Sequence, residues 1–242
     1  MASTVPTRQA EDVSIMLCGQ AGQGIQTVEH LLTSILKPAG YHVFTTKEYM
    51  SRVRGGMNST CIRISDRPVA APVNRIDILI PLDNGGVAHV GCMLTSKTFI
   101  IGDKGACSSE VPDGVEMTDI AFSKIAEEAG GKVYANTVAV GALLRFLGLE
   151  IEQNLPYIRD YFSGKPEDVV NKNLEAARKG YGAMADSGRS APLMNFKTSP
   201  EVKDHVLLSG GEAVALGAIA GGCNFISSYP MSPSTAVLSF LA

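Results

Sequence analysis

Hydrophobic and polar positions along the chain predict strands and helices in alternation. The apolar run VSIMLC at residues 13–18 predicts a buried strand, and it leads through the turn GQAGQG at 19–24 into a segment with helical spacing of apolar residues. YHVFTT at 41–46 predicts the next strand. This strand, helix and strand form a β-α-β unit, which predicts a parallel sheet.

Three further segments predict strands of two kinds. TCIRIS at 60–65 alternates apolar and polar residues, which is typical of a half-exposed strand. IDILIP at 76–81 and TFIIG at 98–102 are continuous apolar runs, which are typical of strands covered on both faces. We therefore expect a sheet of mixed direction.

Helical spacing predicts helices over residues 119–129 and 137–147, and the second should be buried because it is apolar on nearly all sides. Two more helices are predicted where proline stands near a first turn, after residues 154–156 and after 165–167. Gly180 is expected to end the last of them.

The pattern changes after these helices. Residues 186–205 lack periodicity and accumulate Ser, Pro and Gly, which is typical of a linker. Beyond them we expect a small-residue helix over 212–220 and a strand over 224–228. The predicted organisation is a flexible N-terminus over 1–12, an α/β domain over 13–185, a linker over 186–205 and the start of a second α/β domain over 206–242.

Composition agrees with the α/β class, since 25 glycines in 242 residues suit a chain with many strand-to-helix turns. The net charge of −3, without a long run of either sign, predicts neither a nucleic acid nor an anionic membrane as partner. The polar N-terminus lacks the apolar stretch of a signal peptide, and we expect a cytoplasmic protein. Five scattered cysteines without a CxxC pair predict reduced thiols and no metal on this chain.

The turn GQAGQG supplies the first candidate ligand-binding residues, which are Gly19, Gln20, Gly22, Gln23 and Gly24. It stands between a strand and a helix N-terminus, where backbone N–H groups and the helix dipole favour an anion such as phosphate. Its GxxGxG spacing differs from the dinucleotide-binding and Walker patterns, which argues against NAD and against a P-loop nucleotide site. The alternative is that these glycines only allow the helix and strand to pack closely.

The segment YMSRVRGGMNS supplies a second candidate. Arg52 and Arg54 precede Gly55 and Gly56, and two guanidinium groups on a glycine loop suit a bidentate grip on phosphate or carboxylate. The alternative is that both arginines are solvated. Asn136, just ahead of the apolar helix, is either a capping residue or a ligand contact.

Longer stretches of the chain resemble a known family. The GQAGQG turn, RVRGGMNSTCIRIS, ANTVAVGALLRFLGLE and NKNLEAARKGYGA resemble the gamma domain of thiamine-dependent 2-oxoacid:ferredoxin oxidoreductases. GGEAVALGAIAGGCNFISSYPMSPST is similar to the start of their pyrimidine-binding alpha domain. The resemblance implies a Rossmann-like three-layer gamma domain with a mostly parallel sheet, followed by a thiamine-fold α/β domain that is cut short inside its second helix.

The resemblance also implies an activity: oxidative decarboxylation of a 2-oxoacid with coenzyme A, with electrons passing to ferredoxin. Thiamine diphosphate and Mg²⁺ are then expected mainly on a partner beta subunit and the iron–sulfur cluster on a partner subunit, so this fragment should be inactive alone and belong to an oligomer. Tyr229, Pro230 and Pro233 match the family's active-site loop, and Ser232 is the expected polar contact to thiamine or substrate. Gly211 stands where the family commonly has Asn. The alternative function is an assembly or docking module that binds a partner subunit rather than a ligand.

Overall fold

The computed structural model describes residues 12–20, 22–49, 56–107, 111–189, 196–231 and 234–242. The chain divides into two compact units, of which the first ends at Lys203 and the second is Asp204–Ala242. The strands are β1 Asp12–Gln20, β2 His42–Glu48, β3 Met57–Ser65, β4 Ile78–Pro81, β5 Phe99–Gly102 and β6 Glu116–Asp119. The helices are α1 Ile25–Leu36, α2 Gly86–Val90, α3 Lys104–Cys107, α4 Phe122–Glu128, α5 Ala135–Phe146, α6 Ile151–Tyr161, α7 Glu167–Asp186, α8 Gly210–Ala220 and α9 Ser234–Leu241.

The strands form a six-stranded sheet in the order β2-β3-β1-β4-β5-β6. β1, β4, β5 and β6 pair in parallel, whereas β3 runs antiparallel to both of its neighbours, β1 and β2. β1 and β2 therefore run in the same direction but are separated by β3. The predicted mostly parallel sheet of mixed direction is confirmed.

Alternate residues of the central strands pack on opposite faces of the sheet, as the pleat requires. Ile15 and Leu17 of β1 face a large core shared with α1, α4, α5, α6 and α7, and Met16 and Cys18 face a smaller core shared with α2. Helices thus cover both faces, and the predicted three-layer α/β architecture is confirmed.

The expectation of a half-exposed strand at residues 60–65 is wrong. Both faces of β3 are covered, since Ile62 and Ile64 are fully buried in the larger core and Cys61 is buried in the smaller one. The polar position that produced the alternation is Arg63, whose guanidinium is held by the Asp12 carboxylate. The ion pair between Arg63 and Asp12 therefore gives β3 the sequence pattern of a solvent-facing strand.

Two predicted helix boundaries are also corrected. α4 begins at Phe122 because Asp119 belongs to β6, a short edge strand whose polar residues gave no strand signal. α6 begins at Ile151, so that Pro156 lies inside the helix rather than at its start. Glu152 lies in the first turn of α6, where its negative charge interacts favourably with the helix dipole.

Gly180 does not end the last helix of the first unit, since α7 continues to Asp186. The absence of a side chain at Gly180 serves helix packing, because an added Cβ would lie 2.0 Å from the backbone oxygen of Val138 in α5. Gly141 of α5 makes the reciprocal approach, with an added Cβ 1.9 Å from the backbone oxygen of Ala177. The two glycines allow the backbones of α5 and α7 to touch.

The end of the first unit includes a stretch that the sequence pattern predicts to be linker. Phe196 makes an edge-on contact with Tyr41, with ring centroids 6.4 Å apart. The Ser199 backbone N–H donates to the Gly40 carbonyl at 2.8 Å, and Val202 is only 3% exposed. The structure therefore packs residues 196–203 onto the first unit.

The second unit consists of α8 and α9 with an irregular connection. The Ser209 and Glu212 side chains form a capping box at the start of α8, with distances of 3.3 Å and 2.6 Å to the opposite backbone N–H groups. Residues 224–228 form no strand, because the described residues of this unit offer no neighbouring strand to pair with. Across the described ranges of the chain, each helix is either too short or too polar to cross a membrane.

Candidate ligand-binding site

The site lies where the direction of chain connection reverses in the sheet. β1 and β4 are parallel neighbours, but the chain leaves β1 through α1 toward β2 on one side and leaves β4 through α2 toward β5 on the other. The turns that follow these strands diverge, and they leave a crevice at the carboxyl ends of the strands. Ligands of open α/β sheets bind in crevices of this kind.

A cavity of about 320 Å³ occupies this crevice. It is lined by Gly22, Gln23, Pro81, Leu82, Asp83, Asn84, Asp103, Phe122, Ser123, Lys132, Val133, Ala135 and Asn136. These residues come from the turns after β1, β4 and β5 and from the N-terminal ends of α4 and α5. The cavity is therefore built entirely within the first unit.

Gln23 connects the turn after β1 to the turn after β4. Its Oε1 accepts a hydrogen bond from the Gln20 backbone N–H at 2.7 Å, and its Nε2 donates to Oδ2 of Asp83 at 2.5 Å. The Gln23 backbone N–H in turn donates to the Gln20 carbonyl at 3.1 Å. Two backbone N–H groups of the predicted anion-binding turn are thus already hydrogen bonded within the protein.

Gly24 ends this turn in a left-handed conformation, with φ of 76°. A side chain at this φ would be strained, and it would also have to displace the Asn136 amide, since an added Cβ would lie 1.9 Å from Nδ2 of Asn136. The first hydrogen bond at the start of α1 runs from the Thr27 N–H to the Gly24 carbonyl at 2.9 Å. The N–H groups of Ile25 and Gln26 precede that bond and have no backbone partner among the described residues.

Asn136 is a cavity residue and not a helix cap. The N-cap of α5 is Tyr134, which makes no side-chain cap, and Asn136 is the second residue of the helix. The capping interpretation is therefore wrong. Within the described part of the chain no hydrogen bond holds the Asn136 amide, which packs against Gly24 and faces the cavity. The sequence predicts Gly22, Gln23 and Asn136 as candidates, and the structure brings all three to one cavity.

Several cavity residues had no motif to identify them. Asp83 and Asp103 follow the predicted strands at 76–81 and 98–102, and this position at the carboxyl ends of buried parallel strands is a signal that the sequence does contain. Lys132 brings a positive charge, but its Nζ lies 3.3 Å from Oε1 of Glu127. The charged side chains around the cavity therefore carry a net negative charge.

Cys18 lies beneath this end of the sheet, in the smaller core. Burial, together with the nearby Glu48 carboxylate, raises the pKa of its thiol to about 12. A thiol with this pKa remains protonated near neutral pH and does not act as a nucleophile. Among the described residues, moreover, histidine, cysteine and acidic side chains form no group of three or more that could hold a metal ion.

The remaining candidate residues are distributed as follows. Gly19 and Gln20 end β1, and Gly56 precedes β3 with φ of 110°. Tyr229 and Pro230 are exposed residues of the second unit. Arg52, Arg54, Gly55, Ser232 and Pro233 lie outside the described residues.

Comparison with known proteins places the chain among oxidoreductase subunits. The alpha subunit of a 2-oxoacid:ferredoxin oxidoreductase from Sulfolobus sp is 23% identical over 92% of this chain and 41% of its own length. The 2-oxoglutarate synthase subunit KorC of Archaeoglobus fulgidus is 26% identical over 81% of this chain and 95% of its own length. The chain thus spans less than half the length of the alpha subunit but matches nearly all of KorC.

Structural comparison extends this likeness to the second unit. The 2-oxoglutarate:ferredoxin oxidoreductase of Magnetococcus marinus, solved with 2-oxoglutarate, coenzyme A and succinyl-CoA bound, superposes with a TM-score of 0.86 at 26% identity. The match covers 96% of this chain and 41% of that chain. The family described as pyruvate ferredoxin/flavodoxin oxidoreductase matches residues 14–183, which confirms the resemblance that the sequence predicts. The chain belongs to this pyruvate ferredoxin/flavodoxin oxidoreductase family.

Proposed function

We propose that this chain forms part of the alpha subunit of a thiamine-diphosphate-dependent 2-oxoacid:ferredoxin oxidoreductase, which converts a 2-oxoacid and coenzyme A into an acyl-CoA and passes the electrons to ferredoxin. The observation that carries the proposal is the likeness over 96% of the chain, and so over both units, to an enzyme solved with a 2-oxoacid and coenzyme A. KorC supports the same assignment for most of the first unit, since it is a separate subunit of comparable extent.

The redox and thiamine chemistry is assigned to other parts of the assembly. Within the described ranges, histidine, cysteine and acidic side chains form no group of three or more that could hold a metal ion. Bound thiamine diphosphate supplies the carbanion chemistry in this proposal, and a partner beta subunit holds most of that cofactor, its metal ion and the cluster. In this proposal the described side chains bind ligand and partner subunit and carry out no chemical step.

The proposed role of the first unit is to bind coenzyme A. Its cavity lies at the switch point of the sheet and joins the predicted residues Gly22, Gln23 and Asn136. The N-terminus of α1 adds the N–H groups of Ile25 and Gln26, which precede the first hydrogen bond of the helix. Arg52 and Arg54 remain candidate contacts for the coenzyme A phosphates.

The proposed role of the second unit is to start the pyrimidine-binding domain. Tyr229 is 78% exposed, as expected of a residue that contacts a ligand or another subunit. Gly211 lies against α9, since an added Cβ would be 2.9 Å from Cβ of Ala236. The Asn that relatives commonly carry at this position would not fit beside α9 without displacing it.

A docking module is the second candidate function, and exposed apolar side chains of the second unit favour it. Val206, Phe225 and Met231 are 77%, 80% and 64% exposed, and exposed apolar side chains that form a patch mark sites of protein–protein interaction. In this alternative the second unit binds a partner subunit and the first unit binds no ligand.

An activity assay tests the proposed function. The chain by itself should give no 2-oxoacid-dependent reduction of a viologen dye, whereas the full-length alpha subunit with its beta subunit should reduce the dye only when both a 2-oxoacid and coenzyme A are present. Omitting coenzyme A from the assembled enzyme is the control. Turnover by this chain alone, or no turnover by the assembled subunits with any 2-oxoacid, would refute the proposal.

A further inference from the structure

The lining of the cavity combines polar and apolar side chains. Its carboxylate and carboxamide residues are Gln23, Asp83, Asn84, Asp103 and Asn136. Its apolar residues include Pro81, Leu82, Phe122 and Val133. Such a lining suits a ligand segment that has its own apolar side and hydrogen-bonding groups.

The carboxylates of this lining are unfavourable for a phosphate group. A phosphate in the cavity would face the carboxylates of Asp83 and Asp103, and like charges placed together oppose binding. Lys132 compensates only partly because Glu127 lies beside it at 3.3 Å. The Gln20 and Gln23 N–H groups of the turn are already hydrogen bonded, so fewer backbone donors are left there for a phosphate.

The same carboxylates are favourable for hydrogen-bond donors that carry no charge. Each carboxylate accepts hydrogen bonds through two oxygens, and one oxygen in each is already committed: Oδ2 of Asp83 to Gln23 and Oδ1 of Asp103 to the Gly105 N–H at 2.9 Å. The other oxygen of each can accept from an N–H or O–H group. Asn136, whose amide has no partner in the described part of the chain, can both donate to and accept from a ligand amide.

We propose that the cavity binds an uncharged chain bearing amide and hydroxyl groups, and that its ligand is the pantetheine arm of coenzyme A rather than the phosphate-bearing half. The choice of pantetheine rests on the proposed function. The cavity volume of about 320 Å³ lies at the lower end of the range for small-molecule pockets, which suits one arm of a coenzyme. The phosphates then bind outside this cavity.

A charge-neutralising substitution separates the two halves of the coenzyme, because it changes their affinities in opposite directions. Asp83→Asn keeps an oxygen that can accept from Gln23, but it removes the negative charge and one strong acceptor. Pantetheine should bind about tenfold more weakly to the variant, as expected for loss of a hydrogen bond to a charged group. Adenosine 3′,5′-bisphosphate would bind more tightly to the variant if it occupied the same cavity.

The measurement is titration of the whole chain with pantetheine, with adenosine 3′,5′-bisphosphate and with coenzyme A, followed by saturation-transfer NMR. Asp113→Asn is the matched control, because it removes one carboxylate from an exposed turn that does not line the cavity. Melting temperatures of both variants equal to that of the wild-type chain show that neither change unfolds it. Unchanged pantetheine affinity in Asp83→Asn, no pantetheine binding to the wild-type chain, or displacement of pantetheine by the bisphosphate would overturn the inference. The dye assay above tests the proposed function separately, since it does not depend on which half of coenzyme A enters this cavity.

Discussion

Polar residues at the amino ends of β1 and β4 pair with one another, whereas those at the carboxyl ends line a cavity. At the amino ends, the Asp12 carboxylate binds Arg63 and Arg75, and the Asp77 carboxylate binds Arg75 at 3.1 Å and the Ser14 N–H at 2.8 Å. At the carboxyl ends, Gln23 is the link to Asp83, and the Asn136 amide makes no hydrogen bond within the described chain. One end is a closed network of ion pairs, and the other is an open set of acceptors and donors around a cavity.

This difference separates the requirements of folding from those of binding. Buried charges stabilise a fold only when each has a partner, and Asp12, at 8% exposure, has two. Polar groups of a ligand site must instead keep part of their hydrogen-bonding capacity unused. We therefore expect substitutions at the amino ends to change stability and substitutions at the carboxyl ends to change binding.

The largest effect is expected where a single substitution reduces both stability and ligand binding. In Gly180→Ala the new Cβ would lie 2.0 Å from the Val138 oxygen, and backbone cannot move aside as a side chain can. α5 and α7 must separate, which should lower the free energy of unfolding by about 3 kcal/mol or more. Ligand affinity should also fall, because α5 carries Asn136. Urea denaturation and ligand titration measure the two effects.

Gly182→Ala is the matched control for this prediction. It lies in the same helix, but an added Cβ at Gly182 has no other atom within 4 Å. Since alanine favours a helix over glycine, this variant should be unchanged or more stable by up to about 1 kcal/mol. Equal destabilisation by both substitutions would show that helix propensity, and not the contact between α5 and α7, explains the result.

A smaller and more selective effect is expected at the amino ends of the strands. Asp12→Asn leaves Arg63 and Arg75 without the carboxylate that holds them, and both guanidinium groups are only partly exposed. We expect the free energy of unfolding to fall by about 2 to 4 kcal/mol, with ligand affinity retained. Urea denaturation at neutral pH gives the first value, and Asp113→Asn serves as the exposed control. A loss below about 1 kcal/mol would mean that the ion pairs behave as surface pairs.

The same comparison explains what the sequence could predict. The apolar runs at 76–81 and 98–102 predict β4 and β5 because burial on both faces of a sheet leaves a local signature. β3 gave a misleading pattern because the partner that buries Arg63 is Asp12, 51 positions earlier. β6 gave no signal because its residues are mostly polar and its pairing with β5 depends on the whole sheet.

Only part of the candidate site could be predicted from the sequence. The turn at residues 19–24 has a recognisable spacing of glycines, so Gly22, Gln23 and Gly24 could be identified from sequence. Asp83 and Asp103 could not be assigned to the same cavity, because only the order of strands brings the turns after β4 and β5 beside the turn after β1. The sequence predicts a helix end at Gly180, because the backbone that this glycine contacts, at Val138, lies in another helix and leaves no local pattern.

The smallest effect is expected from pH, in the contribution that Asp12 makes to stability. Burial opposes ionisation of this carboxyl, but hydrogen bonds and charge from Arg75 and Arg63 outweigh it and hold its pKa below the usual value of 3.8. A group whose pKa is lower in the folded state contributes stability above its unfolded pKa, and this contribution is lost as the pH falls through its folded pKa. The difference in unfolding free energy between wild type and Asp12→Asn should thus be constant above about pH 5 and decrease below about pH 4. Urea denaturation of both proteins across this range measures the difference, and a constant difference down to about pH 2 would mean that Asp12 is not the group that titrates.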